Sequence, residues 1–181
     1  MGDDITTTVV TDDEIDPGLL LAARAICDDS FGDGFTGDDW DHTLGGVRLL
    51  LYDEGLLVGH AAVVERSIVF GELVLRAGYV EAVAVVAQAQ GRGLGSRLMR
   101  GANAILERDG FEVGVLSTSR RSFYSRLGWE PWQGPSFVRY ADGLVRTPDE
   151  DDGLMVLRVS ATPALDPTWP ITCDARSGDD W

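Results

Sequence analysis

Residues 80–98, with the sequence VEAVAVVAQAQGRGLGSRL, place the strongest constraint on the fold of this chain. The run of Val and Ala predicts a buried strand, the glycines at 91, 93 and 95 predict a turn, and a helix follows at once. Glycine lets the backbone approach a ligand without a clash at Cβ. The N–H groups of the turn and of the helix N-terminus converge on one point, which favours a bound pyrophosphate or similar anion.

The other expected elements indicate an α/β fold of the mixed α+β type. Asp16 and Pro17 form the start of a helix near the N-terminus, and a short helix contains residues 38–40. Strands that come first, followed by alternating strands and helices, predict a central mixed, mostly antiparallel sheet with helices on both faces. We expect one domain spanning residues 1–181. Strands are expected over 5–11, 47–52, 56–70, 73–86, 111–116, 129–140 and 154–159, and helices over 96–108 and 119–127.

Charge and composition narrow the classes of partner. Thirty acidic residues face fifteen basic ones, all of them arginine, and the formal net charge is −15. Such a surface repels nucleic acid and attracts cationic ligands. We expect neither a signal peptide nor a membrane partner, because the chain lacks a long apolar run. Two distant cysteines, Cys27 and Cys173, predict reduced thiols in a cytoplasmic protein without a metal site.

Three classes of ligand compete for the glycine turn. A Walker phosphate loop needs Gly-Lys-Ser or Gly-Lys-Thr, and the chain has no lysine. A dinucleotide fingerprint is met only if Ser96 replaces its last glycine, and it needs an acid at the end of the next strand, whereas Glu112 opens that strand. The third class is acyl-coenzyme A. The stretch from Gln90 to Gly95 resembles the acyl-coenzyme A loop of the GNAT acetyltransferases at every defined position.

A second motif strengthens this resemblance. Residues 121–129, RSFYSRLGW, look like the late GNAT motif, in which a helix carrying an aromatic-Tyr pair is followed by glycine and an aromatic residue. Further segments are similar to those of the aminoglycoside 2'-N-acetyltransferases, over nearly the whole chain. These segments are FTGDDWDHTLGG at 35–46, GYVEAVAV at 78–85, GWEPWQGPS at 128–136, RTPDEDDG at 146–153 and CDARSGDDW at 173–181.

The resemblance implies a role for individual residues. Acetyl-coenzyme A is the expected co-substrate, an aminoglycoside the acceptor, and a homodimer the expected assembly. Glu81 corresponds to the general base, which acts through water, and Tyr124 to the acid that protonates the leaving thiolate. The backbone at Val83, Ala84 and Val85 is expected to hold the pantetheine arm and the acetyl carbonyl. The expected pyrophosphate cradle consists of Gln90, Gly91, Arg92, Gly93, Leu94, Gly95 and Ser96.

The expected acceptor site is rich in acids and also includes Glu81. The family acid before the Phe-Thr pair is Gly34 in this chain, so Asp33 is the candidate to replace it. The loop at 146–153 carries one acid more than the family pattern, so Glu150 and Asp151 compete for one role. The remaining expected contacts are Asp39, Ser117, Asp179 and the carboxylate of Trp181.

The chemistry agrees with these assignments. A protonated sugar amine must lose a proton before it attacks, and a carboxylate such as that of Glu81 takes it. The alternative for Glu81 is a structural pair with Arg76. The oxyanion needs backbone N–H donors, which an irregularity at residues 82–84 would provide. We expect His42 and His60 to be structural, and neither cysteine to form an acyl-enzyme.

Two other functions stay open at this point. One is a GNAT enzyme that acetylates another cation, such as a polyamine or a peptide N-terminus. The other is a module that binds acetyl-coenzyme A without catalysis, and the presence of both Glu81 and Tyr124 argues against it.

Overall fold

The computed structural model describes residues 4–181. Its strands are β1 (Ile5–Thr11), β2 (Val47–Asp53), β3 (Leu56–Phe70), β4 (Leu73–Val85), β5 (Val113–Ser117), β6 (Glu130–Pro131), β7 (Ser136–Tyr140), β8 (Gly143–Arg146), β9 (Leu154–Leu157) and β10 (Ile171–Asp174). Its α-helices are α1 (Pro17–Phe31), α2 (Gly37–Asp41), α3 (Leu94–Arg108) and α4 (Arg121–Ser125). Within residues 4–181, no helix has the length and apolar character that crossing a membrane requires.

The chain forms two compact units, and strands β3 and β4 run through both. The first unit consists of the described residues up to Val64 together with Val80–Ala104. In it β1, β2 and β3 pair antiparallel. Leu50 packs in a core with α1, whereas the neighbouring Leu49 contacts α3 at Gly101. Because successive strand residues point to opposite faces, these two helices cover opposite faces of the sheet, as expected.

The second unit consists of Glu65–Tyr79 and Ile105–Trp181. Its strand order is β6-β9-β5-β4-β3-β10-β7-β8. The pairs β4–β5 and β10–β7 are parallel, and the pairs β5–β9, β6–β9, β7–β8 and β10–β3 are antiparallel. The prediction of a mixed, mostly antiparallel sheet is therefore confirmed. A single domain over residues 1–181 stays a prediction.

Most expected elements lie where local sequence places them. Helix α1 begins after Asp16, whose carboxylate accepts the N–H groups of Gly18 and Leu19. Helix α3 begins at Leu94, two residues earlier than expected, and α4 is shorter than the expected 119–127.

The expected strand over 129–140 is wrong. It is split into β6 and β7, and β8 and β10 were not predicted. A Cβ at Gly134 would lie 1.8 Å from the carbonyl oxygen of Trp169, so the chain passes too close to its neighbour there to accept a side chain. Pro131 and Pro135 also lack the N–H that a continuous strand uses. The packing of residues 132–135 against Trp169 therefore decides the break.

Candidate active site

The glycine turn of the first unit has the geometry of an anion cradle. Gly91 and Gly93 have φ of +76° and +78°, a region that residues with a Cβ rarely adopt. A Cβ added at either position meets no described atom within 4 Å, so the space beside the backbone accommodates a ligand. The side-chain amide of Gln90 donates to the carbonyl oxygen of Val85 at 2.9 Å, which ties the turn to the end of β4.

Three arginines surround this turn. Arg92, Arg97 and Arg100 line a cavity of about 500 Å³ together with Gly93 and Ser96. Arg97 and Arg100 are three residues apart, so they project from the same side of α3. Such a concentration of cations in a chain of net charge −15 is a feature that binds phosphate groups. The predicted cradle included Arg92 but not Arg97 and Arg100, which the i, i+3 spacing after the glycine turn could have identified.

Strand β4 is irregular at the point where it carries Glu81. Ala82 has a φ of +50°, one of two positive φ values among the described residues other than glycine. An irregularity of the kind that would free backbone N–H donors therefore lies at Ala82. Glu81 and Val83 on either side are half-buried, whereas Ala84 and Val85 are buried. Arg76, the partner in the alternative structural role for Glu81, pairs its guanidinium with Glu65 at 2.8 Å.

Tyr124 lies in the second unit on α4. Its ring packs edge-on against Phe123 and Trp129, at centroid distances of 4.9 and 6.4 Å. Burial raises the pKa of Tyr124 to about 12, although Arg120 and a hydrogen bond with Thr118 oppose the rise. The phenol therefore keeps its proton throughout the physiological range.

An acidic cavity of about 430 Å³ opens in the second unit. Its lining includes the carboxylates of Asp149, Glu150 and Asp152, together with Ser117 and Arg121. The hydroxyl of Ser117 donates to Glu150 at 3.5 Å. Burial first, and then the nearby charge of Asp179, raise the pKa of Glu150. The cavity thus contains a carboxylate that a bound cation would stabilise in its charged form.

The structure separates the two acids that compete in the 146–153 loop. Both carboxylate oxygens of Asp151 accept from the guanidinium of Arg146, and one also accepts the N–H and hydroxyl of Ser136, at 2.9 and 2.8 Å. Burial raises the pKa of Asp151, but these hydrogen bonds outweigh it and hold the pKa below its ordinary value. The carboxylate of Asp151 is therefore hydrogen-bonded within the protein, whereas Glu150 lines the cavity.

The C-terminus is folded against the second unit rather than frayed. The Trp181 indole is 4% exposed within the core cluster of that unit, and its Nε1 donates to the hydroxyl of Thr147 at 3.2 Å. Arg176 donates to a Trp181 backbone oxygen at 3.2 Å. Asp179 accepts the N–H of Trp181 at 3.1 Å, and its charge acts on Glu150. The second unit therefore brings Ser117, Glu150 and Asp179 together.

The two remaining acids lie in the first unit. The carboxylate of Asp39 accepts the N–H and the hydroxyl of Thr36, both at 2.7 Å, as part of the capping box that starts α2. Asp33 is exposed in the 3₁₀ turn at Gly32–Gly34. Asp39 thus has a structural role, which the Thr-x-x-Asp pattern of a capping box could have identified.

Both cysteines are buried thiols of low reactivity. Burial raises the pKa of Cys27 to about 12 and that of Cys173 to about 11. Since the thiolate is the nucleophile, neither side chain is suited to carry an acyl group.

Comparisons with known proteins report on the family and on the fold. Residues 22–132 match the family model described as an acetyltransferase (GNAT) domain. The chain is 41% identical over 180 residues to the aminoglycoside 2'-N-acetyltransferase of Mycolicibacterium fortuitum, covering 97% of this chain and 92% of that one.

Solved structures share the fold. A GNAT family N-acetyltransferase from Escherichia coli, in complex with CoA, has a TM-score of 0.64 at 17% identity, covering 96% of this chain and 91% of the other. The GCN5-related N-acetyltransferase from Kribbella flavida has a TM-score of 0.61 at 23% identity over 74% of this chain. That protein is longer, and the match spans 34% of it.

Proposed function

The chain belongs to the GNAT acetyltransferases and, among them, to the family of the aminoglycoside 2'-N-acetyltransferases, and from this premise we propose that it transfers the acetyl group of acetyl-coenzyme A directly to the 2'-amine of aminoglycosides. The full-length likeness to an enzyme of that name carries the proposal. The acidic cavity of the second unit supports it, because an aminoglycoside is polycationic. Resistance to these antibiotics would follow from the modification.

We propose that the first unit binds the coenzyme. The turn at Gly91 and Gly93 leaves room for a pyrophosphate beside its N–H groups. Arg97 and Arg100 supply the opposite charge for the phosphates, and Arg92, whose guanidinium pairs with Asp53, lines the same cavity. The backbone of Val83–Val85 is the proposed contact for the pantetheine arm, and acetyl-coenzyme A supplies the acetyl group.

In the proposed transfer, Glu81 accepts the proton of the substrate ammonium, directly or through a water, so that the amine lone pair becomes nucleophilic. The N–H of Val83 donates to the acetyl oxygen as negative charge develops on it. The amine nitrogen forms a bond to the acetyl carbon, the C–S bond then breaks, and the sulfur leaves as a thiolate. The nitrogen releases its remaining extra proton to water and becomes a neutral amide. A phenol with a pKa of about 12 is a weaker acid than a thiol by about three orders of magnitude, so Tyr124 stabilises that thiolate by donating a hydrogen bond.

We propose that the acceptor amines bind to Glu150, Asp179 and Ser117. Burial and the neighbouring charge of Asp179 raise the pKa of Glu150, and a nearby positive charge would favour its charged form. A substrate ammonium provides that charge. The homodimer and the cytoplasmic location implied by the resemblance remain proposals as well.

We expect Glu150→Gln to raise the aminoglycoside KM by about 10- to 100-fold, because a charge-assisted hydrogen bond is worth about 1.5–3 kcal/mol. Asp151→Asn should instead lower the melting temperature, since it breaks the contacts with Arg146 and Ser136. Steady-state kinetics and thermal unfolding of both variants separate the two roles. An unchanged KM for Glu150→Gln together with a raised one for Asp151→Asn would reverse the assignment.

Mass spectrometry of reactions with acetyl-coenzyme A tests the function as a whole. Gentamicin and tobramycin carry a 2'-amine and should each gain one acetyl group. Kanamycin A and amikacin carry a hydroxyl there and should gain none. Acetylation of spermine alone would identify a polyamine enzyme, and the absence of any product would favour a binding module.

A further inference from the structure

A buried series of polar side chains links Asp12 to the backbone of Ala82, and we call it the Asp12–Arg48–His60 chain. The Nε of Arg48 donates to Oδ1 of Asp12 at 2.6 Å, and Nη1 of Arg48 contacts Nε2 of His60 at 3.1 Å. The Nδ1 of His60 lies 3.0 Å from the carbonyl oxygen of Ala82. Arg48 and His60 are each 0% exposed, so these partners replace water.

The partners of His60 select one tautomer. A guanidinium only donates hydrogen bonds, so Nε2 accepts from Arg48. A carbonyl only accepts, so Nδ1 carries the proton and donates it to Ala82. Burial, assisted by the charge of Arg48, lowers the pKa of His60 to about 4, although the hydrogen bond to Ala82 opposes this. The ring is therefore neutral at pH 7 and donates in a fixed direction.

The guanidinium of Arg48 is itself held on several sides. The hydroxyl and the carbonyl oxygen of Thr43 accept from it at 3.0 and 3.1 Å, and it lies over the Trp40 ring at 4.9 Å. Hydrogen bonds therefore run without interruption from the half-buried carboxylate of Asp12 to the imidazole.

The acceptor of this series is a strained part of β4. Ala82 has a φ of +50°, which its Cβ disfavours, so neighbouring contacts must maintain it. His60 supplies such a contact, and Sγ of Cys27 reaches the same carbonyl oxygen at 3.8 Å.

The carbonyl of Ala82 and the N–H of Val83 belong to one peptide group. In a planar trans peptide these two bonds point in opposite directions. A donor that holds the carbonyl toward His60 therefore aims the Val83 N–H away from His60, on the other side of the strand. The backbone torsion angles of Ala82, which orient this peptide, also determine the direction of the backbone at the neighbouring Glu81.

We propose that the Asp12–Arg48–His60 chain is a positioning device for acetyl transfer, which holds the Ala82–Val83 peptide so that the Val83 N–H faces the acetyl oxygen and Glu81 faces the amine. This inference rests on the proposed function of Val83 and Glu81. His60 is a positioning residue here, because it acts through the peptide and not on the substrate.

The kinetic test compares two substitutions at His60. His60→Leu removes the donor and should lower kcat by about 10- to 100-fold, because a misplaced reacting group costs about that much. The KM values for acetyl-coenzyme A and for tobramycin should change less than about three-fold, since the phosphate and ammonium contacts lie elsewhere. His60→Asn places an amide N–H near the position of Nδ1 and should recover most of kcat. Equal losses for the two variants would contradict the proposal.

A second pair of variants separates positioning from stability. Leu49→Ala creates a cavity in the same unit without touching Ala82, and it should lower the melting temperature while kcat per folded molecule stays the same. Ala82→Gly removes the Cβ penalty at positive φ, so His60→Leu should cost less kcat when combined with Ala82→Gly than it costs alone. Additive losses of kcat would show that His60 does not act through the backbone at Ala82.

A spectroscopic measurement tests the geometry independently of activity. Long-range ¹⁵N–¹H spectra at pH 7 should show His60 as the neutral tautomer protonated at Nδ1. Protonation at Nε2, or a charged ring, would overturn the inference even if the enzyme is active. If tobramycin is not acetylated while the Nδ1 tautomer is present, the proposed function fails and the geometry stands.

Discussion

Glu81→Gln should lower kcat/KM for tobramycin by about 100- to 10,000-fold, the largest effect that we expect from a single substitution. The amide cannot accept the proton of the substrate ammonium, so only amine that is already neutral reacts. The loss should be greatest between pH 6 and 7 and should shrink as the pH rises, because the unaided amine then loses its proton to water. Initial rates from pH 6 to 9, measured with saturating acetyl-coenzyme A, give this profile.

A matched control is available in β3. Glu65 is also a glutamate on a strand, and its carboxylate pairs with Arg76 in an exposed ion pair. Exposed pairs contribute little to stability, so Glu65→Gln should keep both the rate and its pH profile. If Glu81→Gln costs less than about ten-fold at pH 6.5, Glu81 is not the base.

Tyr124→Phe should lower kcat by about 100- to 1,000-fold, the range observed when one hydrogen bond to developing negative charge is lost. The substitution keeps the ring against Phe123 and Trp129, so folding and both KM values should change little. Since the pKa of Tyr124 is raised to about 12, the hydroxyl does not titrate between pH 6 and 10. The ratio of wild-type to variant kcat should therefore be constant over that range.

The pH dependence of kcat distinguishes a hydrogen bond donated by Tyr124 from full transfer of its proton. A wild-type rate that falls with an apparent pKa near 8 to 10, and a Tyr124→Phe rate that does not fall, would show that the phenol loses its proton in the cycle. Tyr140→Phe is the matched control, because it removes a hydroxyl that donates to Asp180. It should leave kcat unchanged.

Local sequence determined much of the fold and part of the candidate site. The boundaries of β1 and β3 follow from their apolar patterns, and the start of α1 follows from Asp16 and Pro17, because capping involves residues that are neighbours in the chain. The turn around Gly91 and Gly93 is likewise local, since its positive φ values require glycine. These features depend on interactions that span only a few residues.

Other features depend on partners that are distant in the sequence. The chain from Trp129 to Tyr140 breaks where Gly134 packs against Trp169, 35 positions away. Burial and the charge of Asp179 act on Glu150, whereas Arg146 and Ser136 occupy Asp151, and the order of letters in PDEDD does not distinguish these two acids.

The contacts at the centre of β4 also depend on a residue that is distant in the sequence. His60 and Ala82 are 22 positions apart, and only the packing of β3 beside β4 brings the imidazole to the Ala82 carbonyl. From sequence, His60 was expected to be structural and the irregularity at 82–84 had no visible cause. The sequence by itself therefore predicted most of the elements and the glycine turn, where backbone propensity is local. Tertiary structure supplied the contacts on which the proposed roles of the Val83 N–H and of Glu150 rest, because His60 meets Ala82, and Ser136 meets Asp151, only in the folded chain.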